Sequence, residues 1–342
     1  MTRYLLVANA TARSGKAQGR IRKVRALMEA RGIAVDLLPT EPEGRTVEAV
    51  AAAVRGTAYD VVVSMGGDGT FREVATGIMR SGTGAVMGML PSGTANDLGR
   101  SFGIKASTRA LRANLDVMAA GHITKLDAGV VRCLEGGVAE ATFFDSVGWG
   151  IQSDILAQRN RDREIVAELP ILRSLYKNQL VYAGAAVDRL LGSWAEPVKF
   201  GAIVHADGEV IRYDGLTDLI VKGVAVYGGA WVLARESEPD DGMFELVPIQ
   251  GRREWASKAL RDLLRSPLLQ GHLDLIGISH SVGASARHFE VEFTRAEGLP
   301  VSCQVDGDEW RSGYHFEVEV IPGAVALLTR ADFVPRWKLA RF

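Results

Sequence analysis

Apolar positions in the first 120 residues follow two alternating periods. Tyr4–Ala8, the run that starts at Val61 and Ala85–Leu90 are short, nearly unbroken apolar stretches, as in strands buried on both faces. Ile33, Val35 and Leu37 alternate and predict another strand. Between these lie helical repeats: Ile21, Val24, Leu27 and Met28; Val47, Val50, Ala51 and Val54; Phe71, Val74, Ala75 and Ile78. Ser107 can cap a further helix with Leu111, Leu115 and Met118 on one face. Strand and helix patterns alternating to about residue 120 predict a parallel, doubly wound α/β domain.

The pattern changes near Leu126. Asp127–Val131, Ala141–Val147, Val198–Ala206, Leu219–Val226, Phe244–Ile249, Phe289–Thr294, Val301–Val305 and Phe316–Ile321 read as strands, with few helices between them. That predicts a mostly antiparallel second domain. Ser153–Trp194 interrupts it and reads helical, either packed on the core or forming a lipid-facing lid. The expected division is 1–125, 126–312 with the helical insertion 153–194, and a segment 313–342 that can return to the first domain.

The strand ends carry the candidate chemistry. The Val61 run opens into Gly66-Gly67-Asp68-Gly69-Thr70 and then the Phe71 helix. Strand, glycine loop and helix N-terminus together place an anion against backbone N–H groups. An acid beside a phosphate repels it unless a cation intervenes, so Asp68 suggests Mg²⁺, or a hydrogen bond to a nucleotide hydroxyl or water. A tight βα turn is the plainer reading. The next strand opens into Pro91-Ser92-Gly93-Thr94-Ala95-Asn96-Asp97-Leu98-Gly99-Arg100. Two such loops at the same end of neighbouring strands make the cleft in which open α/β sheets bind ligands. Thr94, Asn96 and Asp97 can bond a nucleotide or metal-bound water. Arg100 suits a phosphate or a structural role equally. Thr40 closes the second strand at the same edge. Asn9 through Lys16 is a polar loop but no Walker A motif, since Ala10 and Ala17 stand at key positions. Ser14 and Lys16 can still reach phosphate there.

Composition narrows the classes. The 342 residues exceed one usual core, which favours two domains. A net charge of −1 makes no global case for nucleic acid. Cys133 and Cys303 have no framework or metal spacing, so a reducing cytoplasm is the simplest context. No stretch approaches the roughly 18 apolar residues of a membrane span, and any membrane contact is expected at the surface. The basic and aromatic tail Phe333–Phe342 could make one, or could dock or fray. The six histidines are scattered and read as structural. Pro239-Asp240-Asp241-Gly242 and Val305-Asp306-Gly307-Asp308-Glu309 have turn compositions. Asp214 and Asp218 have a spacing compatible with a hard cation.

The pair Gly66-Gly67-Asp68-Gly69-Thr70 and Pro91-Ser92-Gly93-Thr94-Ala95-Asn96-Asp97 resembles the diacylglycerol kinase catalytic family, which includes soluble bacterial lipid kinases and the sphingosine and ceramide kinases. The first motif alone is shared with NAD kinases; the second is more specific. Asn9–Gly15 is similar to the family's Asn-Pro-x-Ser-Gly loop, with Ala10 for proline and extra residues before Ser14. Phe144–Gly150, Asp240-Asp241-Gly242 and Asp306-Gly307-Asp308 match later landmarks, so the likeness spans nearly the whole chain. It implies a nucleotide-binding domain of the NAD-kinase and phosphofructokinase type, plus a mostly antiparallel β-sandwich.

The resemblance further implies an ATP site lined by Asn9, Ser14, Thr40, Gly66, Gly67, Asp68, Gly69, Thr70, Phe71, Arg72, Gly93, Thr94, Asn96 and Asp97, with Mg²⁺ near Asp68. The family's Asp-Gly-Glu, whose last acid is the proton acceptor, corresponds to Asp306-Gly307-Asp308. Asp308 is shorter by a methylene, with Asp306 and Glu309 as alternatives. Asp218 is the best match to a side-chain ligand of a structural Mg²⁺. The implied function is ATP-dependent phosphorylation of a lipid hydroxyl by a cytoplasmic, peripherally membrane-associated enzyme. A homodimer fits as well as a monomer. The alternatives are a NAD-kinase-like enzyme, although no Thr-Gly-Ser-Thr-Ala-Tyr stretch is present, and a non-catalytic lipid- or nucleotide-binding module.

Overall fold

The structure is a computed structural model that describes residues 3–9, 16–57, 59–150, 199–228, 231–251, 283–295 and 298–335. Ser14, the Ser153–Trp194 insertion and most of the tail lie outside them.

The chain begins β1 (Arg3–Ala8), α1 (Lys16–Glu29), β2 (Ala34–Pro39), α2 (Arg45–Gly56), β3 (Val61–Met65), α3 (Asp68–Ser81), β4 (Val86–Met89), α4 (Asp97–Ser101) and α5 (Leu111–Ala120). Strands β2, β1, β3 and β4 are parallel neighbours in that order. Alternate residues face opposite ways, and each face meets its own helices. Leu5, Val7 and Val62 pack with Val50, Val54, Phe71, Val74 and Ile78 of α2 and α3. Tyr4, Leu6, Val61 and Val63 pack with Ile21, Val24 and Met28 of α1 and with Leu111, Leu115 and Met118 of α5. This is why the strands read as unbroken apolar runs. The Ser107 helix starts later than its spacing suggests. Ser107 Oγ accepts the Ala110 N–H at 3.1 Å, closing a turn ahead of α5.

The remainder is β5 (Ile123–Cys133), β6 (Ala139–Phe143), β7 (Ser146–Gly150), β8 (Phe200–Ala206), β9 (Glu209–Leu216), β10 (Asp218–Lys222), β11 (Val226–Tyr227), β12 (Trp231–Val232), β13 (Phe244–Ile249), β14 (Ala284–Ala286), β15 (His288–Arg295), β16 (Val301–Val305), β17 (Asp308–Gly313) and β18 (His315–Leu328). Among the described residues, β14-β13-β10-β7-β16-β17 form an antiparallel sheet. Its inner face, including Trp149, Leu219, Phe244 and Val305, shares one core with Val131, Phe200, Phe289 and Phe316 of the opposing strands.

Those opposing strands continue the first sheet. β18 pairs antiparallel with β15 at one end and parallel with β4 at the other, while β5 runs beside it. The sequence reads this strand only as far as Ile321, because Pro322-Gly323 resembles a stop. Here a bulge between Ile321 and Val325 absorbs the pair, with Gly323 at φ 58° and its N–H given to Asp127 Oδ1 at 2.6 Å. Two other predicted strands are divided. Ala141–Val147 breaks at Phe144-Asp145, and Leu219–Val226 breaks after Lys222.

Candidate active site

The strand β3 ends at Met65, and α3 begins at Asp68, earlier than the glycine run suggests. The loop proper is Gly66-Gly67, and Asp68, Gly69 and Thr70 form the first helical turn. Phe71 is therefore a core residue. Its side chain packs edge-on against Phe144, with ring centroids 5.7 Å apart, and its N–H is given to the Gly67 carbonyl at 3.0 Å. The aromatic ring is not available to a nucleotide.

The second loop lies directly on the first. A Cβ placed on Gly93 would stand 2.5 Å from Gly67 Cα, so backbone meets backbone at these two glycines. The Ser92 N–H donates to the Gly66 carbonyl at 2.6 Å. Asn96 shapes the turn: its Oδ1 accepts the Gly93 N–H at 2.8 Å, and its Nδ2 donates to the Gly93 carbonyl at 2.9 Å. Asn96 itself adopts φ 54°, a left-handed conformation that asparagine tolerates. Its N–H donates to Asp68 Oδ2 at 2.8 Å, which ties the loops together through the acid. Thr94 is exposed at the mouth, whereas Asn96 and Asp97 are buried. Asp97 Oδ2 accepts the Gly228 N–H at 2.8 Å. Arg100 turns back to the Ala95 carbonyl at 2.9 Å and closes its own loop. Asn9 and Thr40 sit at the same carboxyl edge, just beyond β1 and β2, and the Thr40 N–H donates to the Ala8 carbonyl at 3.0 Å.

The hairpin tip between β16 and β17 reaches this edge from the other sheet. Asp306 and Gly307 both have positive φ, 48° and 79°, as a two-residue Asp-Gly hairpin turn requires. Gln304 Oε1 fixes the tip by accepting the Gly307 N–H at 2.7 Å. The Asp306 carboxylate turns inward and accepts three backbone N–H groups, those of Phe144, Asp145 and Ser146, at 3.1, 2.8 and 3.0 Å. Asp308 turns outward. Its Oδ2 takes a hydrogen bond from Arg72 Nη2 at 2.8 Å and would lie 3.5 Å from a Cβ on Gly69. Arg72 Nη1 also donates to the Val305 carbonyl at 2.6 Å. The last acid of the Asp-Gly-Asp turn thus stands beside the first turn of α3, with Asp306 anchoring the turn beneath it.

The site is crowded with acids. Burial, together with nearby Asp145, pushes the Asp68 carboxyl up to about 6, against hydrogen bonds from the Asn96 and Leu98 backbones that favour its ionised form. Burial raises Asp306 to about 7; Arg72 and the N–H donors oppose that shift, and Asp145 adds to it. Like charges gathered at a helix N-terminus suit a cation bound between them and a phosphate. Asp218 is fully buried at the start of β10, opposite Gly150 in register and away from the hairpin tip.

Two buried charges here escape sequence reading. Asp145 occupies a break inside an apparently continuous strand. Lys222 ends an apolar run, and its Nζ lies 2.5 Å from Asp145 Oδ1.

Residues 3–131 match the diacylglycerol kinase catalytic domain family. The match spans the parallel sheet and its loops and stops within β5. The matched stretch holds both glycine loops, and Asp308 reaches them from beyond it. Among relatives named diacylglycerol kinase, the Staphylococcus haemolyticus protein is 36% identical over 103 residues, 30% of each chain. The Staphylococcus saprophyticus protein is 29% identical over 279 residues, 82% of this chain and 78% of that one. The crystal structure of a diacylglycerol kinase from Bacillus anthracis Sterne superposes with a TM-score of 0.64 at 18% identity, covering 97% of this chain and 98% of that one. Another solved chain from that organism gives 0.70 at 15% identity, covering 97% of each. At such identities the likeness is one of fold, and it runs the length of both sheets. Among the described residues no helix is long and apolar enough to cross a membrane.

Proposed function

We propose that the chain is an ATP-dependent lipid kinase that transfers the γ-phosphate to the hydroxyl of a diacylglycerol-like or sphingoid-like lipid. The observation that carries this reading is the meeting of Gly67, Gly93, Asp68 and Asp308 at one strand edge, the last of them supplied by the second sheet. A nucleotide-binding domain of the NAD-kinase and phosphofructokinase type suits the parallel sheet covered on both faces. Residues 1–125 would hold ATP, and 126–312 would form the lipid side.

The chemistry follows from the geometry. An alcohol is a weak nucleophile at neutral pH, and a positioned carboxylate that takes its proton during attack raises the rate by about 10²- to 10⁴-fold. Asp308 suits that task because it is exposed at the cleft and held from one side only, by Arg72. Asp306 does not, since its oxygens already serve three N–H groups. The lipid oxygen bonds to the γ-phosphorus as the bond to the bridging oxygen breaks; the hydroxyl proton passes to Asp308, and ADP leaves. The Gly66-Gly67 loop and the N-terminus of α3 would bind the phosphates, while the Gly93 N–H stays with Asn96 Oδ1 and shapes the second loop. Mg²⁺ bound with ATP would be held near Asp68 and would offset charge on the transferring group. Asp218 is proposed as a ligand of a separate, structural Mg²⁺. The enzyme would work in the cytoplasm against a membrane surface.

The test is transfer of labelled γ-phosphate from ATP to a panel of lipids, with Asp308→Asn run alongside. Label in one lipid, lost in the variant, is the expected result. Label in NAD, or ATP bound and never consumed, would sink the reading.

A further inference from the structure

A fully buried lysine is rare, because the ammonium loses its water. Lys222 is one: its side chain is 0% exposed, at the end of β10 and in line with Leu219, Ile220 and Val221. Its surroundings are specific. Nζ lies 2.5 Å from Asp145 Oδ1, donates to the Val226 carbonyl at 2.8 Å and sits 5.0 Å from the centroid of the Tyr227 ring. Stability alone is a weak reason for such a pair, since apolar residues of similar volume often serve as well in its place.

Its position gives a better reason. Asp145 belongs to the Phe144–Ser146 turn, whose N–H groups grip Asp306 and so set where Asp308 stands. The other oxygen of Asp145 accepts from Ser146 Oγ at 3.2 Å. Val226 and Tyr227 lead into Gly228, whose N–H holds Asp97 behind the second glycine loop. One ammonium therefore joins the two segments whose N–H groups hold Asp306 and Asp97, and its partner Asp145 is close enough to Asp68 to raise that carboxyl.

We propose that Lys222 is a positioning residue of the phosphotransfer site, fixing the Phe144–Ser146 turn to the Val226–Gly228 loop and, through them, Asp308 and Asp97 around Asp68. This rests on the kinase reading above. Lys222 touches no reacting atom; it acts through Asp145 and the Val226 carbonyl, whose segments position Asp308 and Asp97.

The test compares wild type, Lys222→Met, Lys222→Ala and the double variant Lys222→Met/Asp145→Asn on the full chain. A displacement of about 1 Å at reacting groups costs roughly 10²-fold in rate. Lys222→Met should lose kcat on that scale while KM for ATP stays within about threefold, as expected when an arrangement needed in the transition state is lost. Lys222→Ala should regain activity with ethylammonium or propylammonium and not with the matching alcohols. The double variant removes both charges, so it should fold even if Lys222→Met fails to, and it should remain slow. Wild-type kcat in Lys222→Met or in the double variant would overturn the proposal, as would equal rescue by alcohol and amine, which would show that volume alone matters. A wild-type protein that phosphorylates no lipid would instead fail the kinase reading, a separate result.

Discussion

Arg72 Nη2 and Asp308 Oδ2 meet at 2.8 Å, joining the first turns of α3 to the tip of the β16–β17 hairpin. The acid's side chain is 58% exposed, so the pair contributes little stability, about 0–1 kcal/mol. Its consequence is geometric: Arg72 aims the carboxylate along the mouth of the cleft. Asp308→Asn should therefore lower kcat by about 10²- to 10⁴-fold with an unchanged melting temperature. Asp308→Glu, which keeps the carboxylate on a side chain one methylene longer, should keep most of the activity. Steady-state kinetics beside a thermal melt checks both. A fully active Asp308→Asn would remove the residue from the chemistry.

Asp306 should behave in the opposite way. Its carboxylate accepts the buried Phe144, Asp145 and Ser146 N–H groups, each costing about 1–3 kcal/mol if left unsatisfied. Asp306→Ala should lower unfolding free energy by at least about 3 kcal/mol, with activity falling as a result of lost structure. Denaturant titration decides. A variant as stable as wild type but inactive would give Asp306 a chemical role instead.

The backbone contact between the two loops can be tested at Gly93. A Cβ there would stand 2.5 Å from Gly67 Cα, and neither backbone can give way without opening the cleft floor. Gly93→Ala should abolish binding of a non-hydrolysable ATP analogue in calorimetry. Gly56→Ala is the control, because it ends α2 with nothing within 4 Å of the added methyl group. It should be neutral or stabilising by about 0.4–1 kcal/mol. Nucleotide binding that survives Gly93→Ala would show that the loops need not touch.

Much of this arrangement is legible in the sequence because the relevant signals are local. The parallel sheet announces itself through apolar runs with helices between them, since each strand is covered on both sides. The two loops announce themselves through small residues at strand ends. The rest depends on distant partners. Asp145 hides because Asp306, far along the chain, supplies what a turn at Phe144-Asp145 needs. Lys222 hides because one lysine does not break an apolar pattern, and only its contact with Asp145 shows why it tolerates burial. Pro322-Gly323 reads as a stop, yet Asp127 takes the Gly323 N–H and lets β18 serve both halves of the sheet.

The titration of Asp68 gives a test that needs no substrate. Its folded value of about 6 stands above the 3.8 of an unperturbed aspartate, so the folded protein binds more protons than the unfolded chain between those values. Stability associated with this group is therefore fully present below about pH 3.8 and is lost as pH rises through about 6. The difference amounts to roughly 3 kcal/mol, taking about 1.4 kcal/mol for each pH unit. Asp68→Asn keeps an oxygen for the Asn96 N–H and carries no charge, so its stability should gain on wild type as pH rises from 4 to 7. Denaturant titrations of both proteins at pH 4.5, 5.5 and 7 should show the gap widening with pH. Activity should run the other way: if the carboxylate form is the working one, wild-type kcat/KM falls below about pH 6, and Asp68→Asn loses turnover at every pH. Parallel stability curves would mean that Asp68 titrates as an ordinary aspartate. The crowding of acids at the head of α3 would then have to be relieved by something other than a proton.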